Sequence, residues 1–167
     1  MKSKNLLLFL LLMISMCSPH KPLAYGEESR ESVIQRGTKA MFDNQPAEIT
    51  KMLINRTEFR ESVFPHFPES AQMTADEFWE SFIVKRRDSR IGDMIGKFRG
   101  NSCKVIRIGA PKKIAQLKKI KLHYQTPFEF ECIGAADKKV WRESETNLFG
   151  TIVESNGKFR WLSAFWD

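Results

Sequence analysis

The sequence predicts an α+β domain in which N-terminal helices pack on a curved, mainly antiparallel sheet. Three observations predict it: a helical apolar period in the first half up to Gly100, a two-residue alternation over 120–132, and hairpin chemistry at Ser155-Asn156-Gly157. Composition agrees, because 167 residues that are 42% hydrophobic and 28% charged make an ordinary globular chain and not a disordered or membrane-embedded one. A chain of this size buries roughly two thirds of its unfolded surface, enough for a core without a structural metal.

Lys2 and Lys4 precede an apolar run from Leu6 to Met16, interrupted only by Ser15, which reads as a secretory signal. Crossing a bilayer core takes about 20 apolar residues, so the run is too short for a transmembrane span. Ala24 and Gly26 supply the small residues of a cut before Glu27, giving a signal peptide over 1–26 and a single domain over 27–167. Cys17 offers an alternative, a lipidated first residue, although Met16 stands where such signals usually carry a small side chain. Loss of 1–26 removes three lysines and no acid, lowering the formal charge from +7 to +4. The expected location is secreted or periplasmic, with a membrane-anchored lipoprotein as the alternative.

Val33, Ile34, Met41 and Phe42 recur at helical spacing, and Asn44-Gln45-Pro46 breaks that helix. Pro46 suits the start of a second helix with Ile49, Met52 and Leu53 as its stripe, ending at Asn55. The stretch 59–70 holds Phe59, Val63, Phe64, His66, Phe67 and two prolines, which predicts a stiff, irregular loop over the mouth of a core. Thr74-Ala75-Asp76-Glu77 is a capping box opening a third helix with Phe78, Trp79, Phe82 and Ile83, continuing through Ile91, Met94 and Ile95 to Gly96 or Gly100. Strands follow at 103–108 and 114–120. The alternation over 120–132 puts Leu122, Tyr124, Phe128 and Phe130 on a buried face and His123 among wet neighbours, Lys121 and Gln125. A strand over 140–153 then turns at Asn156-Gly157 into the last one.

This order resembles the cone-shaped, cystatin-like α+β superfamily that includes nuclear transport factor two, the ketosteroid isomerases and scytalone dehydratase. The resemblance rests on the leading helix broken at Asp43-Asn44-Gln45-Pro46, the short second helix, the aromatic connection 59–67 and the closing Asn156-Gly157-Lys158-Phe159-Arg160-Trp161-Leu162. It implies a cone-shaped pocket that either binds or carries out acid–base chemistry. Isomerases of that family use a general-base Asp with a Tyr and a protonated Asp. Those positions have no match here, since Asp137 reads as a turn residue, Tyr124 lies on an apolar face and Asp167 ends the chain.

Candidate chemistry is sparse. His66, between prolines, and Tyr124, a phenol on an apolar face, are the acid–base candidates, each with a plain alternative as a solvated loop histidine and a backbone-bonded hydroxyl. Phe64, Phe78, Trp79, Phe82, Leu122, Tyr124, Phe128 and Trp161 are the candidate lining of an apolar pocket, or simply core. Cys103 and Cys132 either close a disulfide across neighbouring strands or stay as buried thiols. His66 and His123 without ligand-spaced partners argue against a metal, and no Gly-rich phosphate loop implies a cofactor. The basic residues Lys85, Arg86, Arg87, Arg90, Lys112, Lys113, Lys118, Lys119 and Lys121 lack interleaved aromatics, which argues for a solvated face over nucleic acid. Asn55-Arg56-Thr57 fits a glycosylation sequon. The leading expectation is an exported domain that binds a small apolar ligand or an envelope protein, with the sheet face available for a homodimer. The alternatives are an isomerase or lyase using His66 or Tyr124, and an envelope component anchored through Cys17.

Overall fold

The computed structural model describes residues 21–164; the apolar run Leu6–Met16, Cys17 and Asp167 lie outside the described residues. Helix α1 (Arg30–Phe42) starts where Ser29 accepts the amide of Ser32, and it buries Val33, Ile34, Ala40 and Met41. Asn44 then turns the chain at a left-handed φ of 51°, a conformation in which asparagine is several-fold enriched among residues with a Cβ. Helix α2 (Pro46–Met52) begins on its proline and buries Ile49 and Met52. Asn55 does not close this helix. Its side chain caps the next one, α3 (Arg56–Glu58), through a capping box with Glu58, which corrects the expected helix end to a helix start.

The stretch expected as a loop is a train of short turns: a wide π turn Phe59–Val63 and two 3-10 turns, Phe64–His66 and Pro68–Ala71. Each 3-10 turn carries proline in its first two positions, where the missing N–H has no partner to lose. Helix α4 (Ala75–Phe78) opens on the predicted box, with the Glu77 amide donating to Thr74 Oγ1 at 3.2 Å and the Thr74 amide donating to the Glu77 carboxylate at 2.7 Å. The chain runs on through a second π turn, Trp79–Val84, into α5 (Lys85–Phe98).

Among the described residues the strands are β1 (Ser102–Ile108), β2 (Lys113–Leu117), β3 (Ile120–Tyr124), β4 (Phe128–Ile133), β5 (Val140–Glu145), β6 (Thr151–Ser155) and β7 (Lys158–Ser163). All pairs are antiparallel, but they form two sheets, β1-β4-β5 and β2-β3-β6-β7, where the sequence predicts one curved sheet. Two breaks account for the difference. The alternation over 120–132 is cut at Gln125, whose φ is 46°, and at Pro127, which has no N–H to continue a ladder. The predicted strand 140–153 is cut because the buried Glu145 carboxylate accepts the amides of Thr146, Asn147 and Leu148 at 2.7–3.1 Å, holding them in a loop. The β6–β7 hairpin turns at Asn156 and Gly157, both at positive φ, as their types predict.

Leu122, Phe128 and Phe130 are all buried, as the alternation requires, yet they serve different cores. The first core gathers α1, α2 and α5 over Phe128, Phe130, Cys132, Phe149, Ile152 and Trp161. The second lies across the four-stranded sheet, where Ile120, Leu122, Val153 and Leu162 meet Phe59, Val63, Phe64, Trp79 and Ile83. Because that sheet is covered on both faces, His123 is only 6% exposed. Its expected wet position is thereby corrected: Nε2 lies 2.9 Å from the Glu154 carboxylate and the ring sits beside Phe159. Register places Cys103 opposite Cys132, and the two are bonded across β1 and β4.

Candidate functional site

The end of the four-stranded sheet sets three hydroxyl side chains side by side. Tyr124 on β3 pairs with Thr151 on β6, and Thr151 pairs with Ser163 on β7, so one cross-strand row presents a phenol and two alcohols. A register shift between Thr151 and Ile152 makes the row possible. The extra residue in β7, Leu162, bends the strand so that Leu162 and Ser163 border the same hollow.

That hollow is a cleft of about 260 Å³ between the sheet end and the aromatic turns. Phe67, Phe78, Phe82, Ile83 and Leu162 supply apolar walls, while Glu69 and Arg86 stand on the helical side. The walls are continuous with the second core. Phe78 lies 5.7 Å from Phe59, 5.4 Å from Phe67 and 5.0 Å from Phe82, centroid to centroid, spacings at which aromatic pairs attract. Phe82 remains 40% exposed at the edge, and the Arg86 guanidinium sits 5.6 Å from its ring centroid. Among the described residues neither Arg86 nor Glu69 is in an ion pair. Burial, and after it the Glu69 carboxylate, push the Tyr124 phenol above its ordinary value of 10.0, so it keeps its proton through the neutral range.

Of the residues singled out in the sequence, Phe78, Phe82 and Tyr124 border this cleft. Phe64, Trp79 and Leu122 lie beneath it in the second core, and Phe128 and Trp161 belong to the first. His66, half-buried in its 3-10 turn, does not border the cleft. Thr151, Ser163 and Glu69 carry no sequence signal as site residues, because a cross-strand row exists only once register and bulge are known. Arg86 was visible only as part of a basic run.

That run does not act as one surface. Arg87 is buried, donates to the Ile54 carbonyl at 3.0 Å and lies over the Trp79 ring; Arg90 pairs with Glu145 and Lys121 with Glu154. Three hollows are larger than this cleft. One of about 400 Å³ runs between α2 and α5 along Ile49, Leu53, Ile91 and Gly92, and its polar side chains Thr50, Asn55, Arg87 and Asp88 are each already bonded or paired. A second, about 390 Å³, lies between α1 and β1 beside the disulfide. The third, about 270 Å³, lies by Tyr25 and Arg160, where Glu27 pairs with Arg36, Lys51 with Glu48 and Arg160 with Glu58. None brings several unengaged polar groups to one point as the cleft does. Among the described residues no group of His, Cys, Asp and Glu is placed to hold a metal ion, and no helix is long and apolar enough to cross a membrane. No protein-family model, curated protein or solved structure matches the chain.

Proposed function

We propose that the protein is an exported binding domain that holds a small amphipathic ligand in the cleft, its apolar body against Phe67, Phe78 and Phe82 and its polar head toward Tyr124, Thr151 and Ser163. The observation that carries this reading is the convergence of that hydroxyl row with an aromatic wall left open to solvent. Arg86 at the edge attracts a head with negative charge, and the Glu69 carboxylate, whose charge reaches Tyr124, keeps that charge on the Arg86 side. The volume sets a size limit: about 260 Å³ falls below the roughly 300 Å³ at which pockets for drug-sized ligands begin, so a single ring or the end of an acyl chain fits. A phenol that keeps its proton donates a hydrogen bond to such a head, which suits retention of a ligand better than abstraction of a proton from it. Membership of the cone-shaped superfamily belongs to the same proposal, supported by α1 with its break at Asn44 and by the closing hairpin at Asn156-Gly157.

Anilinonaphthalene sulfonate is a suitable probe, because its single anilino ring fits the cleft while its naphthalene sulfonate stays at the open edge beside Phe82 and Arg86. Titrated into the folded protein, it gains fluorescence with a single saturable site, and both Phe82→Glu and Arg86→Glu weaken that site at unchanged melting temperature. Absence of saturable binding, or binding indifferent to both substitutions, overturns the proposal.

A further inference from the structure

The residues just before Glu27 are built into the domain. Leu23 is 5% exposed and packs in the second core with Ile54, Phe59 and Val63. Tyr25 places its ring 4.3 Å from the guanidinium of Arg160, itself 2% exposed and bonded to the Met52 and Leu53 carbonyls and the Glu58 carboxylate. Gly26 passes so close to β7 that a Cβ there would stand 2.8 Å from the Phe159 carbonyl oxygen. Glu27 then exchanges two backbone hydrogen bonds with Phe159, each 2.9 Å, and Lys21 pairs with Glu61.

We infer that the exported chain is cut upstream of Lys21 and not before Glu27, so that 21–26 remain part of the mature domain. This rests on the export reading above. Signal cleavage precedes folding, so packing does not report which bond a peptidase can reach. It reports what the mature chain must keep: a cut before Glu27 deletes a core leucine and strips the aromatic cover from a buried arginine. Upstream of Lys21 the sequence leaves few choices. Ser15 and Cys17 are the small residues of a cut before Ser18, and a cut before Cys17 leaves that cysteine first and open to acylation. Proline at 19 and the large residues His20 and Lys21 disfavour cuts between Ser18 and Pro22.

The test is intact mass and N-terminal sequencing of the full chain expressed with its own leader and recovered from the envelope and periplasm of a bacterial host. A first residue of Ser18, or of Cys17 with or without the added mass of acyl chains, is the expected result. A first residue of Glu27 overturns the inference and leaves export standing. An intact chain starting at Met1 removes export and this inference together. In the recovered protein, Leu23→Ala lowers the melting temperature by about 5 °C. An unchanged melting temperature contradicts the role given to this segment.

Discussion

The two cores differ in how they end. The first is tightly stacked and meets its neighbouring hollows with few unengaged polar groups: Phe42, Phe98, Phe130 and Trp141 meet edge to face at 4.5–5.5 Å, Phe149 leans on Trp161, and a disulfide ties β1 to β4 along one side. The second begins in the same way around Phe59, Trp79 and Leu122, then runs out at the sheet end, where Phe67, Phe78 and Tyr124 are half-buried and Phe82 is exposed. The contrast teaches where function resides. A core whose bordering polar groups are already bonded has mainly stability to offer, whereas one that opens beside hydroxyl groups has free apolar surface and hydrogen-bond donors at one point.

The difference can be broken by substitution. Phe130→Ala in the first core removes a fully buried ring and costs about 3–5 kcal/mol in urea unfolding. A cost below about 1 kcal/mol means that this ring is not packed as described. Replacing Cys103 and Cys132 together by Ala costs about 2–4 kcal/mol, because the bridge closes a loop between residues 29 apart in sequence. The oxidised wild type and the double variant, compared by denaturant midpoint, measure it. An acid titration separates the cores from the sheet between them. Burial opposes ionisation of Glu154, but Lys121 and His123 together hold its carboxyl below the ordinary 4.5. A carboxyl lowered on folding gives stability that is present above 4.5 and lost as pH falls through the folded value. Glu154→Gln therefore flattens the fall in stability below pH 4.5, and an unaltered acid limb contradicts the pairing. At the open end effects on stability shrink and effects on binding grow. Phe82→Glu leaves unfolding within about 0.5 kcal/mol, since its side chain is already partly in water. Tyr124→Phe keeps the ring and removes one hydroxyl, so the probe binds about two- to tenfold more weakly with stability nearly unchanged.

Local signals in the chain were legible wherever the physics is local. The Thr74–Glu77 capping box, the proline at the start of α2 and the Asn156-Gly157 turn each act within a few residues, and each is where the sequence puts it. The alternation over 120–132 correctly buries Leu122, Phe128 and Phe130 but conceals a passage from one sheet to the other at Pro127. His123 misleads for a related reason: alternation assigns a residue to a face and says nothing of what later covers that face. The site divides in the same way. Tyr124, Phe78 and Phe82 are recognisable as an odd phenol and a helical aromatic stripe. Thr151 and Ser163 join them only through register across three strands and a bulge at Leu162, which no spacing in the chain encodes.

Chemical-shift mapping of the folded protein during titration with anilinonaphthalene sulfonate tests the contrast between the cores most directly. The account predicts shifts concentrated at Phe67, Glu69, Phe78, Phe82, Arg86, Tyr124, Thr151 and Ser163, with Phe98, Phe128 and Phe130 unmoved. Shifts centred on the first core, or scattered over the surface without regard to the cleft, contradict it.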